Sequence, residues 1–113
     1  HNNIMLTERL IFEKDERYPN EMMNQPPKYN ARFDADGHTL SVVYGGGTYG
    51  QGPDSDQYEI ALFDPDGEMV PLTEYQDTVR GWIPAETINH IVDVLNDERV
   101  SNKTERILIR ARK

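Results

Sequence analysis

A chain of 113 residues is the size of one domain, long enough to bury roughly two-thirds of its unfolded surface without staples. It contains no cysteine, which excludes disulfides and thiolate metal sites. Its net charge of −8 excludes the basic footprint that direct binding to nucleic acid or anionic lipid requires.

No apolar run approaches the ~20 residues that cross a bilayer, and no basic region leads into an apolar stretch as in a signal peptide. A cytoplasmic setting is therefore expected, with residues 1–113 forming a single domain. His1-Asn2-Asn3-Ile4 reads as a tag remnant or disordered lead, with Met5 as a natural start. Self-repulsion at this charge favours a monomer or weak dimer.

In chain order, Thr7-Glu8-Arg9-Leu10-Ile11-Phe12 reads as a short strand. Glu13 to Lys28 is polar and proline-punctuated, so it reads as loop or short helix with Met22-Met23 as its apolar foothold. Tyr29, Ala31 and Phe33 then alternate with polar residues, Asp34-Ala35-Asp36-Gly37 turns the chain, and Leu40, Val42 and Tyr44 alternate again. Alternation around Asp-Gly predicts a β-hairpin, because Asp and Gly tolerate the positive φ of such turns. The pattern returns at Tyr58, Ile60 and Leu62, followed by Asp64-Pro65-Asp66-Gly67 and Met69-Val70. Phe-Asp-x-Asp-Gly thus occurs at Phe33–Gly37 and at Phe63–Gly67, which reads as one turn chemistry used twice.

Thr78 to Trp82 is a further short strand feeding a helix over about 84–96. Pro84 suits the first helical position and Glu86 complements the dipole. Pro84, Ile88, Ile91, Val92 and Leu95 form one apolar stripe, so this helix packs on a sheet. Near the end of the chain Ile107, Ile109 and Ala111 alternate with Arg106, Leu108, Arg110 and Arg112, which reads as a last strand with a basic outer face. Pairing that strand with the acidic meander would neutralise charge internally. The expected fold is α+β: an antiparallel sheet of four to six strands built from hairpins, with one amphipathic helix on a face.

Motifs that would name a chemistry fail on context. Gly45, Gly47 and Gly50 satisfy G-x-G-x-x-G, but Gly52-Pro53-Asp54-Ser55-Asp56 comes next, where a helix N-terminus must face the phosphates. The loop reads instead as a connection between hairpins, with Tyr44 and Tyr49 offering amphipathic contact area. Asp54, Asp56, Asp64 and Asp66 invite a calcium reading, but the flanking helices and bidentate Glu of an EF-hand are missing. His38 and His90 lack companions at zinc spacing. Ser41, Ser55 and Ser101 lack a nucleophile elbow. No catalytic, metal or cofactor residue is assigned, and a non-enzymatic protein is expected. Trp82, at a strand-to-helix junction, reads as a cap on the core, with a binding hot spot as the alternative.

What stands out is charge order. Asp34, Asp36, Asp54, Asp56, Glu59, Asp64, Asp66, Glu68, Glu74 and Asp77 fall in a stretch without one Lys or Arg, whereas Arg99, Lys103, Arg106, Arg110, Arg112 and Lys113 face only Glu105 in the last fifteen residues. Such a field favours basic proteins as partners. Carboxylates on alternate positions of a strand, ~6.6–6.8 Å apart, could imitate a phosphate track. The residues expected to meet a partner are Tyr44, Tyr49, Asp54, Asp56, Glu59, Asp64, Asp66 and Glu68.

Tyr58 to Gly67 and Val79 to Ile88 resemble short phage and prophage accessory proteins, a group that includes anti-CRISPR inhibitors. The likeness is one of style and carries over no functional residue. It implies inhibition of a nuclease or other nucleic-acid-binding protein by occupying its basic channel. The competing expectation is a structural or assembly module of phage or bacterial origin, without mimicry.

Overall fold

The computed structural model describes residues 4–17 and 26–109. Five strands, β1 (Glu13–Lys14), β2 (Lys28–Ala35), β3 (His38–Gly45), β4 (Tyr58–Phe63) and β5 (Val79–Ile83), lie in sequence order in one antiparallel meander. Helix α1 (Ala85–Asn96) packs on one face and a five-residue helix α2 (Lys103–Ile107) comes after it. The α+β fold expected from the hairpin signals is the fold observed.

Register explains the layering. Ala31 pairs with Val42 and Val42 with Ile60, while Phe33 pairs with Leu40 and Leu40 with Leu62. Those rows point at α1, where Ile88, Ile91, Val92 and Leu95 are fully buried against them. Each such side chain removed from water contributes about 1.5–3 kcal/mol. The alternate rows, Asn30–Val43–Glu59 and Arg32–Ser41–Ala61–Val79, face away from α1, and no described element covers them.

The two Phe-Asp-x-Asp-Gly strings make different turns. In the first, Ala35 pairs with His38, and the two-residue turn has both Asp36 (φ 53°) and Gly37 (φ 76°) left-handed. In the second only Gly67 is left-handed (φ 81°). There Asp64 Oδ1 accepts the N–H groups of Asp66 and Glu68, both at 2.9 Å. Pro65 stands where the first string has Ala35, and its locked φ starts a three-residue turn instead.

Helix α1 owes its ends to distant residues. Pro84 is the N-cap, extended at φ −79° and ψ 160°, so it precedes the helix by one position. Proline offers no capping oxygen. The carboxylate of Asp56 takes that role, accepting the Ala85 N–H at 2.8 Å. At the other end Lys103, 6% exposed, donates its ammonium to the Leu95 carbonyl at 2.6 Å and meets Asp36 at 3.3 Å. A carboxylate at the N-terminus and an ammonium at the C-terminus both complement the helix dipole.

Lys103 also explains the main departure from the expected elements. The expected last strand is helical over Lys103–Ile107, because an i, i+4 pair, Lys103 and Ile107, turns inward together. Only beyond it does Ile109 donate to the Leu72 carbonyl at 2.6 Å. Neutralisation of the acidic meander by these cations reduces to the Lys103–Asp36 pair among the described residues. The N-terminal strand is also absent as placed: Glu8-Arg9 is a turn, and strand pairing starts at Glu13. There the Thr7 N–H goes to the Asn89 side chain at 2.8 Å rather than to a neighbouring strand. Met22, Met23 and residues 110–113 lie outside the described residues.

Replacing Asp56 by Ala should cost about 1 kcal/mol, within the 0.5–2 kcal/mol range of lost caps, whereas Asp56→Asn should retain most of it; urea unfolding of the three proteins checks this. Arg99 grips Asp97 through its backbone N–H (2.9 Å), Nε (3.0 Å) and a terminal nitrogen (3.0 Å), lowering the Asp97 pKa from 3.8 to about 2. A depressed carboxyl contributes stability above its unfolded value and loses it as pH falls through the folded one. Arg99→Gln should therefore flatten the loss of stability between about pH 4 and pH 2 in acid-titrated unfolding curves.

Candidate protein-binding surface

The sheet separates the acids into two groups. Asp34, near the end of β2, and Asp36, Asp64, Asp66 and Glu68 lie in or beside two neighbouring turns, close enough that a Cβ on Gly37 would lie 3.1 Å from Pro65 Cγ. Glu74 and Asp77 belong to the turn that enters β5 from that same end. Asp54, Asp56 and Glu59 lie at the opposite end of β4. The run of β4 separates the groups by about 17 Å, twice the screening length at physiological salt. The four aspartates considered for calcium are therefore divided between the ends, and no metal-holding cluster exists among the described residues.

Most of these carboxylates already have a task. Asp34 accepts the Thr39 hydroxyl at 2.6 Å, and Asp77 accepts that of Thr73 at 2.7 Å. Asp36 meets Lys103, Asp56 caps α1, Asp64 closes its own turn, and Glu59 Oε1 accepts the Tyr49 N–H at 2.8 Å. Only Asp54, Asp66, Glu68 and Glu74 have carboxylates without a hydrogen bond or ion pair to another described residue. Asp34 and Glu59 alone of the ten lie within strands. The strand-borne phosphate track therefore finds no counterpart, and the acidity is displayed by turns.

The glycine loop is ordered, and its amides are used internally. Gly45 N–H donates to the Gly50 carbonyl at 3.0 Å, Gly46 N–H to Pro27 at 3.2 Å and Gly52 N–H to Gln57 at 2.8 Å. A Cβ on Gly45, whose φ is 103°, would lie 2.0 Å from the Pro27 oxygen, so this position accepts glycine alone. The chain then enters a turn over Pro53–Asp56 rather than a helix.

This loop parts Tyr44 from Tyr49. Tyr44 joins an aromatic wall, 5.0 Å from Phe12, 5.1 Å from Tyr29 and 5.8 Å from Tyr58 between ring centroids. Burial there raises its phenol pKa, with smaller contributions from Tyr29 and Asp54. Tyr49 turns outward and is 64% exposed, and beside it stands Trp82, 51% exposed and therefore not a cap on the core. Their rings meet edge to face at 6.1 Å and 61°.

A bulge produces this arrangement. Tyr58 pairs with Ile83 and Ile60 with Arg80, so Gly81 and Trp82 together oppose Glu59. Trp82 adopts a left-handed φ of 58°, rare for a bulky residue and a feature of bulges that redirect a side chain. Its N–H donates to the Tyr49 carbonyl at 2.7 Å, which closes this part of the sheet edge. A Cβ on Gly81 would lie 2.3 Å from Tyr49 Cβ, so glycine there lets the loop approach. An isolated glycine inside the strand pattern Val79–Ile83 was the available signal for this bulge.

Trp82→Gly relieves a left-handed cost of roughly 1–2 kcal/mol for an L-residue, which offsets much of what is lost with the buried half of the indole. It should leave stability within about 1 kcal/mol of wild type, or raise it, instead of losing the 3–5 kcal/mol typical of a core aromatic. Chemical denaturation decides, and a loss of about 3 kcal/mol would show that Trp82 is a packing residue.

No helix among the described residues is long and apolar enough to cross a membrane. No protein-family model, curated protein or solved structure matches this chain.

Proposed function

We propose that this chain is a small acidic binding protein, a non-enzymatic inhibitor or regulator that occupies the basic, nucleic-acid-binding surface of a cytoplasmic partner. The observation that carries the proposal is the end of the sheet where the two Asp-Gly turns adjoin and from which the Thr73–Asp77 turn leads into β5. Asp66, Glu68 and Glu74 stand there with no partner among the described residues, beside Asp34, Asp36, Asp64 and Asp77. Among the described residues the cations offsetting them are Arg32 at 3.5 Å from Asp34, Lys103 at 3.3 Å from Asp36 and Arg80 at 4.0 Å from Asp77.

Carboxylates that hold nothing in place contribute no fold stability through contacts. Their charge is available to a partner, and docking breaks no internal bond. A concentrated negative pole also accelerates encounter with a basic groove and orients the protein as it arrives. The small acidic phage inhibitors it resembles would use their charge in this manner, with the turns supplying the contacts.

The triple reversal Asp66→Lys, Glu68→Lys and Glu74→Lys tests this with the fold intact. Wild type immobilised in host lysate should retain a basic protein at about 50 mM salt and release it by about 500 mM, and the triple variant should fail to retain it at either. Retention unchanged by the reversals, or by salt, would overturn the proposal. Concentration-dependent self-association that tolerates the reversals would favour an assembly module instead.

A further inference from the structure

Trp82 is the single tryptophan of the chain, yet it is half exposed and its backbone is strained. Left-handed backbone at a bulky residue persists only where the surroundings hold it, and such strain concentrates at functional positions. The surroundings are specific. The Trp82 N–H is bound by the Tyr49 carbonyl at 2.7 Å, and the Tyr49 N–H is bound in turn by Glu59 Oε1 at 2.8 Å. The Tyr49 and Trp82 rings meet edge to face. An indole, a phenol and a carboxylate are thus brought together where the loop between β3 and β4 meets the β4–β5 pair.

We propose that Trp82, Tyr49 and Glu59 form a receptor for an arginine side chain of a partner protein, with the guanidinium stacked on the indole and drawn by Glu59. Charge selects this occupant. Asp54 and Asp56 lie at the same end, and no Lys or Arg occurs between Phe33 and Val79. The nearest cation in sequence, Arg80, is paired with Ile60 on the α1 side of the sheet and directed to Asp77. Arginine is favoured over lysine because its planar, weakly hydrated guanidinium stacks on an aromatic face and donates to a carboxylate simultaneously. The inference rests on the proposed reading in taking a cationic partner, but it uses the opposite end of the sheet from Asp66, Glu68 and Glu74.

Trp82 supplies its own readout. An acetylated, amidated Gly-Arg-Gly peptide titrated into the full chain should change Trp82 fluorescence saturably. The citrulline counterpart, which keeps the shape and loses the charge, should bind at least about tenfold more weakly, and the lysine counterpart several-fold more weakly. Glu59→Gln keeps an acceptor for the Tyr49 N–H and should weaken the arginine peptide several-fold. In calorimetry, Trp82→Gly should abolish its binding. Equal binding of the citrulline or lysine peptide, or unchanged calorimetric binding to Trp82→Gly, would overturn the receptor. If the arginine peptide fails while salt-sensitive, reversal-sensitive partner capture persists, the receptor falls and the acidic pole stands. If the peptide binds as described while capture fails, the reverse holds.

Discussion

The structure depends on how the two ends of helix α1 are held. The helix begins after a proline that cannot cap it and has no basic residue in its last turn. Both deficits are met from elsewhere: Asp56, twenty-nine positions before the residue it caps, at one end, and Lys103 on α2 at the other. Each contact joins an ion to unsatisfied peptide groups in a partly dehydrated setting, where such hydrogen bonds are stronger than neutral ones. They also fix the chain around the helix. Asp56 anchors the turn that precedes β4, and Lys103 ties α2 to the Asp36 turn between β2 and β3. The slot in which the apolar face of α1 meets the sheet is thereby defined at both ends.

This changes what the acidic composition means. A run of ten acids without a cation reads as one surface field, but six of the ten side chains serve as connectors within the fold. Asp34 and Asp77 take hydroxyls, Asp56, Glu59 and Asp64 take amides, and Asp36 takes an ammonium. Asp64 shows why Asp is common in turns: its short side chain reaches the backbone N–H groups of Asp66 and Glu68 just ahead of it. A lysine or arginine in those turns could not accept those hydrogen bonds, which gives the cation-free stretch part of its structural explanation. The remaining carboxylates, Asp54, Asp66, Glu68 and Glu74, hold nothing among the described residues, and Glu59 engages only its Oε1 with the Tyr49 N–H, so these five retain oxygens for a partner.

The fold was legible where periodicity alone decides. Tyr58, Ile60 and Leu62 on one face of a strand, and Ile88, Ile91, Val92 and Leu95 on one face of a helix, need no knowledge of their neighbours. Legibility failed where a long-range contact outweighs local pattern. Ile107, Ile109 and Ala111 alternate like a strand, yet Lys103 and Ile107 share an inward helical face because the Leu95 carbonyl requires an ammonium. The repeated Phe-Asp-x-Asp-Gly string concealed two turns, since Pro65 in the x position alters the backbone that Ala35 permits. At the candidate site, the acids were found by type but not by task. Trp82 reads first as a core cap, with a binding hot spot as the alternative, because large aromatics usually belong inside, although Gly81 beside it marks a bulge.

The two ends of the sheet divide the binding problem in a physically sensible way. Unpaired turn carboxylates act through a field that extends about one screening length and discriminates poorly among basic surfaces. A rigid aromatic pair acts only at contact, loses little side-chain entropy on binding, and discriminates by shape. Separated by about 17 Å of strand, the two do not screen or strain one another, so long-range attraction and short-range selection can be tuned independently. The bulge that exposes Trp82 shifts register in β5 alone, and Tyr49 occupies the edge amide that this leaves free. Within the strands, left-handed backbone at a non-glycine residue is confined to peripheral β5, while β2, β3 and β4, which carry the core beneath α1, remain regular. A binding residue held in an unfavourable backbone is tolerable in this fold because the helix, anchored at both ends, does not depend on it.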